Sequence, residues 1–288
     1  METVLASASK EVVVGGDHPF CIIGERINPT GRKAFQEQLK VGDISRLEVD
    51  VAQQVAGGAM VLDVNMGAPL ADEVGLMSKA VKMIQGLTDL PLCIDSSVIE
   101  ALEAGLSAYE GKALVNSVTA EDERMDAILP LVRDHGAAII MLPNDETEIP
   151  EDPHRRVELV DKCVEVAHGR YGIPMEDILI DPLAMPVGAD TSLVAKTLET
   201  IRLVHDRYGL NMTLGASNVS FGMPDRHTLG AAFLPMAMVA GLTSAIMDAR
   251  SAQIVRAVKA ADLFLDHDPW GGSWIAAHRA TQAAAGAR

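Results

Sequence analysis

Aromatic side chains are scarce in this sequence: Phe, Trp and Tyr make up 3% of 288 residues. A core must therefore come from Ala, Val, Leu, Ile and the 14 Met. Positive charge is also in short supply, with 24 Lys+Arg against 40 Asp+Glu and a formal net charge of −16. That balance leaves no basic excess to meet nucleic-acid phosphates or an anionic membrane, although a few local groups can still hold a small anion. There are only three cysteines, Cys21, Cys93 and Cys163, and no C-x-x-C spacing. A disulfide framework and a thiolate zinc site are thereby excluded, and a reducing, cytoplasmic setting is expected. The first twenty residues lack the apolar run of a signal peptide, and nothing approaches the ~20 uninterrupted apolar residues of a membrane span. Neither G-x-G-x-x-G nor G-x-x-x-x-G-K occurs, so dinucleotide-fold and P-loop readings fall away.

What is present is ordinary globular composition, 48% hydrophobic and 22% charged, in a length that suits one barrel of roughly 250 residues with tails. Short apolar runs recur at Cys21–Gly24, Met60–Val64, Leu92–Ile94, Ala113–Val115, Ala138–Leu142, Ile178–Ile180, Met212–Leu214 and Ser244–Met247. Stretches with helical period separate them. Ile44, Leu47, Val51 and Val55 share one helix face, as do Val157, Val160, Val164 and Ala167, and Leu193, Leu198, Ile201 and Val204. Ser97, Thr119 and the Thr191-Ser192 pair stand where side-chain N-caps are expected. Gly57-Gly58 is placed to end the first long helix in a left-handed cap. Pro174, Pro182, Pro186 and Pro224 fall in connections, where a missing N–H does no harm. Strand and helix alternating eight times predict an α/β fold, a single (β/α)8 TIM barrel. The expected boundaries are an N-terminal extension over 1–20, the barrel over 21–265 and a C-terminal tail over 266–288, its Ala-rich end from Ala276 a frayed helix. Trp270 and Trp274 are expected to pack on the barrel base or a neighbouring subunit, and the Met residues of 233–247 to fill the core.

Such barrels build their active sites where strands end. Polar residues stand at nearly every such place: Glu25, Arg26 and Asn28; Asp63 and Asn65; Asp95; Asn116; Asp181; Ser217 and Asn218; Asp248. One Asp or Ser after a strand is an ordinary N-cap. A whole rim of them is not, because Asp63 and Asp95 follow Leu62 and Ile94 too closely to cap a helix. The set is rich in Asp and Asn and lacks His, Lys and Cys. Carboxylates accept from N–H groups, while amides donate and accept. That pattern suits a flat heterocycle with an amino group beside a ring amide. It makes a poor zinc site, so no metal is expected, and it holds no nucleophile–base pair for acyl transfer.

The stretches GERINPTG (24–31), GGAMVLDVNMGAP (57–69), LCIDSS (92–97), VNSVTAE (115–121), GIPMEDILIDPLAMP (172–186), LGASNVSFGMPDR (214–226) and FLPMAMVAGLTSAIMDA (233–249) resemble, in order, the pterin-binding barrel family. Within it the resemblance is to methyltetrahydrofolate:corrinoid/iron–sulfur protein methyltransferases. It implies an enzyme of EC 2.1.1 type, acting in one-carbon metabolism, that moves the N5 methyl group between methyltetrahydrofolate and the cobalt of a protein-bound cobalamin. By the same resemblance Asp95, Asn116 and Asp181 hold the pterin ring and Asn218 contacts N5. Asp63, Glu25, Asn28 and Arg226 are further candidates for substrate contact, with Arg26 and Arg226 suited equally to substrate carboxylates or the corrinoid partner and to surface ion pairs. The tertiary amine N5 is a poor leaving group until it gains a proton or strong hydrogen bond, and an amide that swivels to meet it stabilises charge developing on the reaction path. No side chain is an evident general acid, so the proton is expected through water.

The resemblance further implies a homodimer and a corrinoid that arrives on a separate protein or chain. The six residues Asp225–Gly230 match the D-x-H-x-x-G signature of cobalamin-binding domains. That signature belongs to a doubly wound domain, whereas this copy opens a barrel helix after Pro224, so a structural role is expected for His227. Two alternatives stand beside the methyltransferase: a non-catalytic folate-binding subunit, and dihydropteroate synthase. The latter resembles S-R-K after the seventh strand, where this chain has Ala216-Ser217-Asn218-Val219 without a Lys, and carries an R-x-H near the last strand, where Ile246-Met247-Asp248 stands.

Overall fold

Each apolar run falls on a strand of the computed structural model, which describes residues 1–286. In chain order the strands are β1 (Glu2–Ser7), β2 (Glu11–Gly15), β3 (Cys21–Ile27), β4 (Val61–Val64), β5 (Leu92–Asp95), β6 (Gly111–Lys112), β7 (Leu114–Thr119), β8 (Ala138–Leu142), β9 (Ile178–Ile180), β10 (Asn211–Met212) and β11 (Ser244–Met247). Eight of them form one sheet in the order β10-β9-β8-β7-β5-β4-β3-β11. Every pairing in it is parallel. The seam between the first and last of that order is joined beyond β10. Gly215 bridges Ile246, the Ile246 N–H donates to Leu214 O at 2.9 Å, and Ser244 Oγ donates to Met212 O at 2.9 Å. The result is a nearly closed eight-stranded parallel barrel.

The connecting helices are α1 (Lys33–Lys40), α2 (Arg46–Gly57), α3 (Glu73–Gln85), α4 (Ile99–Ala108), α5 (Asp122–Asp134), α6 (Pro153–Val164), α7 (Leu193–Tyr208), α8 (Arg226–Ala240) and α9 (Ala252–Phe264). Their apolar stripes and the outward faces of the strands make the main core. A smaller core fills the barrel interior, where Leu5, Val12 and Val14 meet Ile23, Cys93 and Leu179. Those first three residues belong to an antiparallel hairpin of β1 and β2, extended by β6, that closes the end of the barrel where the strands begin. Chain segment 1–20 thus supplies the plug beneath the site.

Helix ends differ from expectation in instructive ways. Gly58 does take a left-handed conformation, φ 101°, and caps α2. Thr119 lies inside β7 and its hydroxyl donates to Glu121, so it caps nothing. It is Ser96, not Ser97, whose oxygen accepts the Val98 N–H at 3.0 Å. Before α7 the N–H of Ser192 is taken by Asp190 at 2.8 Å, and the Ser192 side chain makes no cap bond. Val55, expected on the buried face of α2, is 41% exposed, and Gln54 is buried in its place. Met238 and Met247 are buried, whereas Met236 is exposed. The C-terminal segment forms α10 (Gly272–Gly286), with Ala287 and Arg288 outside the described residues. Trp270 is 98% exposed and does not pack on the barrel base.

Candidate active site

Strand register decides what reaches the barrel mouth. Asp95 pairs with Asn116 across β5 and β7, and Asp63 pairs with Cys93 two residues earlier. Side chains alternate along a strand, so Asp63 sits one inward-facing layer deeper than Asp95. Asp63 is 2% exposed and accepts a hydrogen bond from Asn116 Nδ2 at 3.1 Å. Burial pushes its carboxyl well above the usual range, and the neighbouring Asp95 pushes it further. A proton held here lets Asp63 donate to Asp95, which leaves the upper carboxylate free to accept. Asp63 thus lies beneath Asp95 and Asn116 at the mouth.

Asp95 accepts from Asn65 Nδ2 at 3.0 Å and, at the long limit of 3.5 Å, from Asn28 Nδ2. Burial raises it to about 6, against the lowering effect of Asn65. Asn65 is thus part of the cluster, held in place because its own oxygen accepts the Gly67 N–H at 2.8 Å. Its parity with Asp63 along β4 is the sequence signal that points to it. Behind Asp95, Ser96 donates to Glu73 of α3.

Further round the mouth, Asp181 follows β9 and accepts the Leu183 N–H at 2.8 Å. Burial raises it to about 6, opposed by that N–H and by Arg156. Asn218 lies in a 3-10 turn, Ala216–Ser220, beyond β10. Its side chain is exposed and, among the described residues, its amide has no hydrogen-bond partner. Gly215 makes room for it: a Cβ there would stand 2.9 Å from Asn218 Nδ2.

Glu25, on β3, accepts from Ser217 Oγ at 3.0 Å, and burial raises its carboxyl. Arg226 donates to Ser217 O at 2.7 Å, so Glu25, Ser217 and Arg226 form one chain from the mouth to the start of α8. Arg26 has a buried Nε without a hydrogen bond and its nearest carboxylate, Asp248, is 3.9 Å away. Burial, then Arg32 and Arg250, lower its pKa. Burial works against ionisation of Asp248 too, but Arg250 and Gln54 hold it at about 2. His227 Nδ1 lies 2.7 Å from Ser251 Oγ, tying α8 to the loop before α9. Among the described residues no group of His, Cys, Asp or Glu is arranged to hold a metal ion, and no helix is long and apolar enough to cross a membrane.

The mouth therefore presents the carboxylates of Asp95 and Asp181 from separate strand ends, the amides of Asn28, Asn65 and Asn116, and the unpaired amide of Asn218. Residues 24–248 match the family model of pterin binding enzymes. A methylcorrinoid:tetrahydrofolate methyltransferase from Eubacterium limosum is 30% identical over 253 residues, covering 86% of this chain and 92% of that protein. A methionine synthase from Mycobacterium tuberculosis is 31% identical over 261 residues, and there the match spans 86% of this chain but 22% of the relative. Among solved structures, dihydropteroate synthase from Xanthomonas albilineans in complex with 7,8-dihydropteroate superposes with a TM-score of 0.68 at 20% identity, covering 91% of this chain and 98% of that one. At that identity the likeness concerns the fold.

Proposed function

The chain belongs to the pterin-binding methyltransferase family, and from that premise we propose that it moves the N5 methyl group between methyltetrahydrofolate and the cobalt of a corrinoid carried by a separate protein. The observation that carries this reading is the unpaired amide of Asn218 at the same mouth as Asp95 and Asp181. The two carboxylates are suited to accept the amino and ring-amide N–H groups of the pterin, with Asn116 as a further donor and acceptor. Asn28, Glu25 and Arg226 line the approach, and the guanidinium of Arg226 suits the carboxylates of the substrate's tail. Asn218 is left to follow N5. A proton reaching N5 through water makes it a charged methylammonium, which an amide oxygen turned toward N5–H favours; as the methyl group departs, the C–N electron pair stays on N5 and leaves the neutral amine.

The reduced corrinoid supplies the nucleophile that takes the methyl group. The open mouth admits it from the side on which Asn218 stands exposed. We place the reaction in the cytoplasm, a setting that suits three free, buried cysteines. Mixing the protein with methyltetrahydrofolate and chemically reduced cobalamin is expected to give the absorption spectrum of methylcobalamin. Tight folate binding, read by calorimetry, without transfer in either direction would instead point to a binding subunit. Product from pterin diphosphate and p-aminobenzoate would point to dihydropteroate synthesis, which the missing Lys after β10 disfavours.

A further inference from the structure

Arg156 is the largest fully buried side chain among the described residues, at 0% exposure, in a protein with few cations to spare. It stands on α6 in the apolar stripe it shares with Leu159, Val160 and Cys163. Burying a guanidinium is costly unless its donors are satisfied and its charge is met. Its Nε donates to Pro150 O at 2.7 Å. Its Nη1 donates to Pro182 O at 2.8 Å and Leu183 O at 3.1 Å. Nη2 has no partner. The carbonyls satisfy donors without neutralising charge. The acids that act on Arg156 are Asp181 first and Glu151 second. Glu151 is exposed and already paired with Lys196 of α7 at 2.9 Å. Among the described residues, Arg156 is the charged group that acts on Asp181.

Two of its bonds land on the residues directly after Asp181. Leu183 there has φ 60°, a left-handed conformation that is strained for a residue with a Cβ. That turn brings the Leu183 N–H onto Asp181 Oδ1 at 2.8 Å. Thr197 of α7 holds the same Leu183 carbonyl at 3.2 Å. Among the described residues, no hydrogen bond reaches the other carboxylate oxygen.

We propose that Arg156 is the positioning residue of Asp181: through the Pro182 and Leu183 carbonyls it clamps the turn that aims the carboxylate into the mouth, and its buried charge is the counter-charge that keeps Asp181 an acceptor for a pterin N–H. The idea rests on the pterin reading above for its ligand, but not for its electrostatics. A scaffold role alone would be met by neutral donors. The charge matters because burial alone drives Asp181 toward its neutral form, and a protonated acid turns a donor toward an N–H group that needs an acceptor.

The test pairs a 13C-carboxyl NMR titration of Asp181 in ligand-free protein, its signal assigned with Asp181→Asn, with folate affinity measured against pH. In wild type the midpoint is expected near about 6. In Arg156→Met it is expected to rise, because the charge that opposes the effect of burial has been removed. Folate affinity at neutral pH should then fall by about twofold or more, as for a midpoint moved by about one unit, and recover as the pH is raised. Arg156→Lys should restore most of both. If Arg156→Met does not fold, Arg156→Gln, a neutral donor, makes the same comparison. An Asp181 titration that stays put in the neutral variants overturns the proposal, even if affinity drops at every pH. If wild type binds no folate at any pH, the pterin reading fails, and the NMR comparison alone still decides the role of Arg156.

Discussion

Asp95 and Asp181 both titrate at about 6 because burial outweighs the hydrogen bonds each accepts. As acceptors they work only when ionised, so folate affinity is expected to fall by about tenfold or more between pH 7.5 and pH 5. Isothermal calorimetry across that window checks it, and an affinity flat with pH would contradict it. The stability sign runs the other way. A folded-state pKa raised above the ordinary carboxylate range means that the folded chain binds more protons between about 4 and about 6. The ligand-free protein should therefore melt at a higher temperature at pH 5 than at pH 7, and Asp95→Asn should flatten that slope. Asp248, held at about 2, makes the opposite contribution only below about 4. Asp95, Asn116, Asp181 and Asn218 were legible because barrel logic puts strand-end residues at one mouth. Arg156 and Gln54 were not, because a polar residue inside an apolar stripe looks like a break in periodicity until its partners across the chain are known. Gln54 meets Asp248, at 3.0 Å, across 194 residues of sequence.

At the level of elements, the eight strands were legible because a strand buried on both faces must be apolar throughout. The hairpin of β1 and β2 was not, although Thr3 and Leu5 alternate with more exposed neighbours, as do Val12 and Val14. Its strands are short and charge-flanked, and the signal for them is period-two alternation instead of a continuous run. The hairpin packs into the barrel floor, remote from the mouth, so it is expected to carry stability and not binding. Leu5→Ala should cost about 2–5 kcal/mol of unfolding free energy in urea titrations while leaving folate affinity within about twofold. A large loss of affinity without loss of stability would mean that the floor shapes the site directly. The helix caps were not legible, because a hydroxyl before a helix can turn to another partner, as Thr119 does in donating to Glu121, and the sequence pattern does not show which way it turns.

For the whole molecule the net charge is −16, yet several large apolar side chains remain exposed: Met236 and Val239 on α8, Phe264 at the end of α9 and Trp270 beyond it. The homodimer that the resemblance implied would have such a surface to cover. Sedimentation equilibrium is expected to give twice the chain mass of 30.6 kDa, and Val239→Glu to shift the protein toward monomer; a monomeric wild type would remove the expectation. Central to the whole account is the division of labour between residues that hold the pterin and the one that follows N5. The most direct measurement is pre-steady-state methyl transfer from methyltetrahydrofolate to reduced cobalamin, with folate affinity measured in parallel. Asn218→Ala is expected to slow the transfer step by about 100-fold with affinity within about threefold, and Asp181→Ala to weaken affinity by roughly 10- to 100-fold with a smaller effect on the step itself. Equal losses in both quantities for both variants, or no methyl transfer by the wild-type protein in either direction, would contradict it.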